Sequence, residues 1–145
     1  MITVRDILKG KPNVVWTIEP RETVYNALLL LAEKDIGALI VVQGERVVGV
    51  FSERDYARKG ILKGKSSRDT SVGDLMTTKV YYAQLDNTVE ECMALLTEKR
   101  IRHIPVLEEG LLVGILSIGD VVKTIMDMQE HTIKQLESYI TGFRS

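Results

Sequence analysis

Gly49-Val50-Phe51-Ser52-Glu53-Arg54-Asp55 and Gly114-Ile115-Leu116-Ser117-Ile118-Gly119-Asp120 share one pattern: glycine, two apolar residues, serine, two variable positions and aspartate. In each stretch an apolar strand ends, a serine stands where a helix can begin, and an aspartate follows one helical turn later. Ser-x-x-Asp at such a place has two chemical readings. It can be an N-cap whose acidic residue satisfies first-turn amides and the helix dipole. It can also be a ligand site, in which the carboxylate accepts ribose hydroxyls while free amides and the serine hydroxyl meet phosphate. Both readings stay open at the level of these residues.

Working outward from the two stretches, Val15–Lys59 aligns with Val80–Thr124 at an offset of 65 without a gap, and about thirteen of the 45 positions are identical. Thr23-Val24 meets Thr88-Val89, Leu30-Leu31 meets Leu95-Leu96, and Ile36 meets Ile101. Upstream, Val4-Arg5-Asp6-Ile7-Leu8 is similar to Val72-Gly73-Asp74-Leu75-Met76. The chain is therefore a duplication, and each copy reads β-α-β-β-α.

The expected elements are a strand (Val14–Ile18; Val80–Ala83), a helix opened by Thr23 or Thr88, and a hairpin. The hairpin strands are Ala38–Val42 with Arg46–Phe51, and Ile104–Leu107 with Leu111–Leu116; a second helix starts at Ser52 or Ser117. Helical spacing of Val24, Ala27, Leu28 and Leu31, and of Val89, Met93 and Leu96, marks core faces. A unit of this size buries too little surface to be secure alone, so two copies covering one another around a pseudo-twofold axis are expected, an α+β fold. The organisation read from the sequence is residues 1–60 and 72–127 as repeats, 61–71 as linker and 128–145 as a C-terminal helical extension.

Composition narrows the function. A net charge of −1, from 19 basic and 20 acidic residues, gives no global field toward nucleic acid or an anionic membrane, so any anion site must be local. The longest apolar run, Ala27 to Ala32, is far too short to span a bilayer, and Met1 to Asp6 lacks a signal-peptide pattern, which places the protein in the cytoplasm. The single cysteine, Cys92, aligns with Ala27 and reads as a small core residue rather than a thiol of redox or zinc chemistry. His103 has no second histidine near it in sequence, and His131 falls on the last helix, so no metal site is expected. No nucleophile–base set and no glycine-rich phosphate loop is present, so the chain reads as a non-enzyme without a catalytic cofactor.

The paired glycine-to-aspartate stretches, the Thr-Val that opens each first helix, and Arg102-His103-Ile104-Pro105-Val106 together resemble a tandem pair of CBS domains, the Bateman module named after repeats in cystathionine β-synthase. The last segment is similar to the phosphate-contacting stretch of the γ subunit of AMP-activated protein kinase and to segments of inosine monophosphate dehydrogenases. The resemblance implies two clefts that bind adenine nucleotides (AMP, ADP, ATP or NAD) as regulatory ligands. It implies a first cleft of Trp16, Thr17, Ile36, Gly37, Ala38, Ser52, Arg54 and Asp55. The second would hold Tyr81, Tyr82, Ile101, Arg102, His103, Ile104, Pro105, Ser117 and Asp120. In both, the aspartate would hold ribose, the apolar residues would flank adenine, and Arg54 and Arg102 would donate to phosphates. The clefts differ, since Glu53-Arg54 becomes Ile118-Gly119 and Gly37-Ala38 becomes Arg102-His103; the first is expected to be the stronger.

With no effector domain attached, the resemblance further implies that the regulated partner is a separate effector protein. The rival readings are a purely structural dimerisation module and a sensor of another adenosyl ligand such as S-adenosylmethionine. Arg58, Lys59, Lys63, Lys65 and Arg68 read as a solvated basic linker rather than a nucleic-acid patch. Val122, Ile125, Gln129, Ile133, Leu136, Ile140 and Phe143 follow three-and-four spacing, a seam expected to pack on a second subunit as a homodimer.

Overall fold

The computed structural model describes residues 1–12 and 14–144, with side chains to residue 141. The element order is α1 (Val4–Lys9), β1 (Thr17–Ile18), α2 (Val24–Lys34), β2 (Ala38–Gln43), β3 (Arg46–Ser52), α3 (Glu53–Asp55), α4 (Val72–Leu75), β4 (Ala83–Gln84), α5 (Val89–Lys99), β5 (His103–Glu108), β6 (Leu111–Ser117) and α6 (Ile118–Arg144). Between α3 and α4 lie a π-helical turn, Tyr56–Gly60, and a short 3-10 turn, Ile61–Lys63.

The duplication is plain in three dimensions. Each half carries a three-stranded sheet, ordered β1-β2-β3 or β4-β5-β6, whose first pair is parallel and second antiparallel. Thr23 and Thr88 cap α2 and α5, accepting from the amides of Asn26 and Glu91. Both helices then end in the left-handed region, on Asp35 (φ 52°) and Arg100 (φ 54°), which turns the chain into the hairpin. The first strands are shorter than expected. Only Thr17–Ile18 and Ala83–Gln84 form ladders, so Trp16, Tyr81 and Tyr82 stand just before them, outside regular structure.

The cores do not follow the linear division into 1–60 and 72–127. Val4 and Ile7 of α1 are buried with Ala83, Val89, Cys92, Leu96, Ile104, Val106, Leu116 and Val121 of the second half. Val72 and Leu75 of α4 are buried with Val24, Leu31, Leu39, Val41 and Phe51 of the first. Each half is completed by the other's leading helix. The amide of Val4 donates to Asn87 O (2.8 Å) and that of Val89 to Ile2 O (3.0 Å), while Val72 donates to Glu22 O (2.8 Å) and Val24 to Thr70 O (2.9 Å). The segment read as a solvated linker is thereby tied to the start of α2, where the Arg68 guanidinium also lies 4.0 Å over the Tyr25 ring.

Two glycines make the exchange possible. A Cβ on Gly49 would come within 2.6 Å of Met76 Sδ and 2.9 Å of Thr77 O, and one on Gly114 within 2.9 Å of Leu8. The chain leaving each leading helix thus lies directly on the last strand of its host sheet. Cys92 is buried in the second core, and burial pushes its thiol pKa up to about 11, so it is a packing residue held as the protonated thiol.

Candidate functional site

Both Ser-x-x-Asp stretches form the capping geometry. The Ser52 amide donates to Asp55 Oδ2 (2.9 Å), and the Asp55 amide donates to Ser52 Oγ (3.2 Å). The second copy repeats this, with Ser117 N to Asp120 Oδ2 at 2.9 Å and Asp120 N to Ser117 Oγ at 3.0 Å. Of the two readings open in the sequence, the capping one is realised twice. It does not exhaust the carboxylates, because the second partners of Asp55 and Asp120 differ.

At Asp55, Thr77 Oγ1 donates to Oδ1 over 3.0 Å and the Lys59 ammonium reaches the same oxygen at 3.1 Å. Thr77 also exchanges two backbone bonds with Val50, of 2.9 and 3.0 Å. At Asp120 one group does both jobs. The Lys11 ammonium donates to Asp120 Oδ2 (2.8 Å) and to Ile115 O (2.9 Å), the strand position that matches Val50. Burial works against the Asp120 charge, yet the bonds from Lys11 and Ser117 hold its pKa below the ordinary carboxylate value. A distant residue of the leading segment, absent from the sequence reading of the site, thus neutralises one of the two aspartates.

A cavity of about 720 Å³ opens between the halves and pairs the motifs in a crossed manner. Ser52, Arg54, Asp55 and Gly37 of the first half line it together with Tyr81, Ile101, Arg102 and His103 of the second. The sequence reading had grouped Asp55 with Trp16, Thr17, Ile36 and Ala38, and Tyr81 with Asp120. None of Trp16, Thr17, Ile36, Ala38, Tyr82, Ile104, Pro105, Ser117 and Asp120 lines this cavity. The crossing follows from the packing: a Cβ on Gly37 would sit 3.7 Å from His103 Nε2, so the equivalent turns of the two halves face each other.

Placement explains the rest. Trp16 is half exposed beneath the Lys34 ammonium, 4.3 Å from its ring centroid. Ala38, Ile104 and Pro105 are buried in their sheets. Gly37 O accepts the first amide of α3 (Glu53 N, 3.4 Å) and Arg102 O that of α6 (Ile118 N, 2.9 Å). His103 is partly buried; desolvation lowers its pKa, which outweighs the opposing pull of Asp120 and keeps the imidazole neutral at pH 7.

Sequence reasoning missed Arg58, Lys59, Thr77, Lys79, Val80 and Arg100, all of which line the cavity. Arg58 and Lys59 carry the one available signal, a basic run one turn beyond Asp55 that reads from the sequence as linker. Tyr81, with Val80 and Ile101, supplies the apolar wall; Lys99 stands 5.2 Å from the Tyr81 ring centroid. The Arg54 guanidinium is held below its ordinary pKa chiefly by Arg58, with smaller contributions from desolvation and Arg102. The lining therefore offers both apolar surface for a flat group and cations for an anion. Among the described residues, no group of three or more His, Cys, Asp or Glu is arranged to hold a metal ion, and no helix is long and apolar enough to cross a membrane.

Comparison with known proteins agrees with the duplication. The CBS domain family model matches residues 4–60 and 72–127. The mitochondrial CBS domain-containing protein CBSX3 of Arabidopsis thaliana is 37% identical over 150 residues, covering 97% of this chain and 72% of the relative. The crystal structure of a CBS-domain containing protein from Agrobacterium tumefaciens superposes with a TM-score of 0.80 at 38% identity, over 84% of this chain and 98% of that one. A hexameric CBS-CP12 protein from bloom-forming cyanobacteria gives 0.75 at 27% identity, over 83% and 66% of the two chains.

Proposed function

The chain belongs to the CBS-domain family, as a tandem pair of its repeats, and from that premise we propose that it is a regulatory module binding an adenine nucleotide in the cleft between the halves and conveying occupancy to a separate effector protein. The observation that supports this most is the cavity itself, whose lining combines Tyr81, Ile101 and Val80 with Arg54, Arg58, Arg102 and Asp55. Adenine stacks against the apolar wall, and guanidinium groups take the phosphates in charge-assisted bonds. Ribose hydroxyls reach Asp55 by replacing the Thr77 hydroxyl or the Lys59 ammonium on Oδ1. That exchange couples occupancy to the C-terminal end of α4, because Lys59 also donates to Leu75 O at 3.2 Å. A ligand that moves Lys59 alters the seam at which one half completes the other.

A thermal-shift screen with AMP, ADP, ATP and NAD tests the reading. A nucleotide at a hundred times its dissociation constant should add about 2.7 kcal/mol of stability, and Arg54→Ala should lower its affinity by about tenfold. No shift with any of the four would overturn the adenine-nucleotide reading.

Self-association is the second element of the proposal. The first turns of α6 pack inward, with Val121 buried and Ile125 and Met128 against the second core. Ile125 is therefore not part of a free seam, as its spacing had suggested. Farther along, Ile133, Leu136 and Ile140 are 55–59% exposed, at three-and-four spacing; the Phe143 side chain lies outside the described residues. We assign this stripe to a second copy of the chain, in keeping with the seam pattern and the hexameric relative. Removing residues 130–145, beyond the buried part of α6, should halve the mass measured by light scattering. An unchanged mass would show that the stripe joins no subunits.

A further inference from the structure

The cavity and the positions related to it by the duplication differ sharply in charge. Six cations line the cavity: Arg54, Arg58, Lys59, Lys79, Arg100 and Arg102, against the carboxylates of Glu53 and Asp55. At the offset of 65 their counterparts are Gly119, Lys123, Thr124, Val14, Asp35 and Gly37. One lysine and one aspartate thus stand where the first cleft has six positive groups. A merely solvated surface would not gather its charge on one side of an internal symmetry.

The six come from both halves: α3, the π-helical turn, the chain before β4, the left-handed end of α5 and the residue before β5. Among the described residues, only Lys59 of the six has an ion-pair partner, Asp55 at 3.1 Å. Arg58, and to a smaller extent Arg102, lie close enough to Arg54 to depress its pKa alongside desolvation, a repulsion that an anion relieves. One phosphate, at about −2, compensates only part of this set. A chain of phosphates is long enough to meet groups contributed by both halves.

We propose that this cleft selects its ligand by phosphate number, taking a nucleoside triphosphate in preference to a monophosphate because Arg54, Arg58, Arg100 and Arg102 converge from both repeats on one polyphosphate seat. The inference rests on the nucleotide-binding reading above and deepens it. Arg58 and Arg100 become determinants of ligand choice.

Calorimetric titration of the full chain with AMP, ADP and ATP, without magnesium and at low salt, tests it. The dissociation constant should fall with each added phosphate, by about tenfold or more from AMP to ATP. In Arg58→Ala/Arg100→Ala the ATP-to-AMP ratio should collapse toward unity. Higher salt should weaken ATP more than AMP. Inorganic tripolyphosphate should compete with ATP. ATP binding no tighter than AMP would overturn the proposal while leaving the nucleotide reading intact. Binding of tripolyphosphate without any adenine nucleotide would keep the phosphate seat and defeat that reading. Binding of neither would defeat both.

Discussion

Leu75→Ala should destabilise the first half of the molecule by about 2–5 kcal/mol, although Leu75 lies in the stretch that a linear division assigns to the second repeat. Its side chain is 1% exposed and belongs to the cluster built around Phe51, Leu31 and Val24. Truncation leaves a cavity beneath β2 and β3, not beneath β5 and β6. Urea denaturation measures the total loss, and amide exchange locates it, with β2 and β3 losing protection first. Ile7→Ala should give the mirror result, with β5 and β6 opening first, because Ile7 is buried in the other core. Loss of protection in β5 and β6 on Leu75→Ala would disprove the exchange of leading helices.

Asp55→Ala carries the second large effect, and it acts on stability as well as on ligand binding. The carboxylate, 12% exposed, takes the Ser52 amide, the Ser52 hydroxyl, the Thr77 hydroxyl and the Lys59 ammonium. Deleting it strands these donors around a partly buried site and should cost roughly 3 kcal/mol. Asp120→Ala should cost less, about 1–2 kcal/mol, since that side chain is 27% exposed and receives the Ser117 amide and Lys11. Nucleotide affinity should fall with the first substitution and stay within about twofold in the second. Equal stability losses in the two variants, by urea denaturation, would contradict the asymmetry of the capping sites. Asp55→Asn separates the roles, because it keeps an acceptor for the Ser52 amide while removing the charge that pairs with Lys59 and that the proposed function assigns to ribose.

Several features were legible in the residues. Thr23, Thr88, Ser52 and Ser117 mark helix starts because their side chains cap locally. The hairpins were readable because Gly44 and Gly110 supply positive φ next to apolar runs. Asp55, Arg54, Ser52, Gly37, Tyr81, Ile101, Arg102 and His103 were singled out as site residues, and the fold brings these eight together. Their grouping was not readable, because spacing along a chain says nothing about which half a turn will face.

The repeat and its elements were determined by the sequence itself, since capping, periodicity and turn chemistry act over a few residues. Which halves share which surfaces was decided only by tertiary packing. α1 and α4 are alike in sequence, and either could lie on its own repeat or on its neighbour's. The contacts of Leu8 at Gly114 and of Met76 at Gly49 realise the crossed arrangement. That crossing brings Asp55 and Arg102 to one cavity, leaves Asp120 to Lys11, and turns Arg58 and Lys59, which read as linker, into part of the cavity wall.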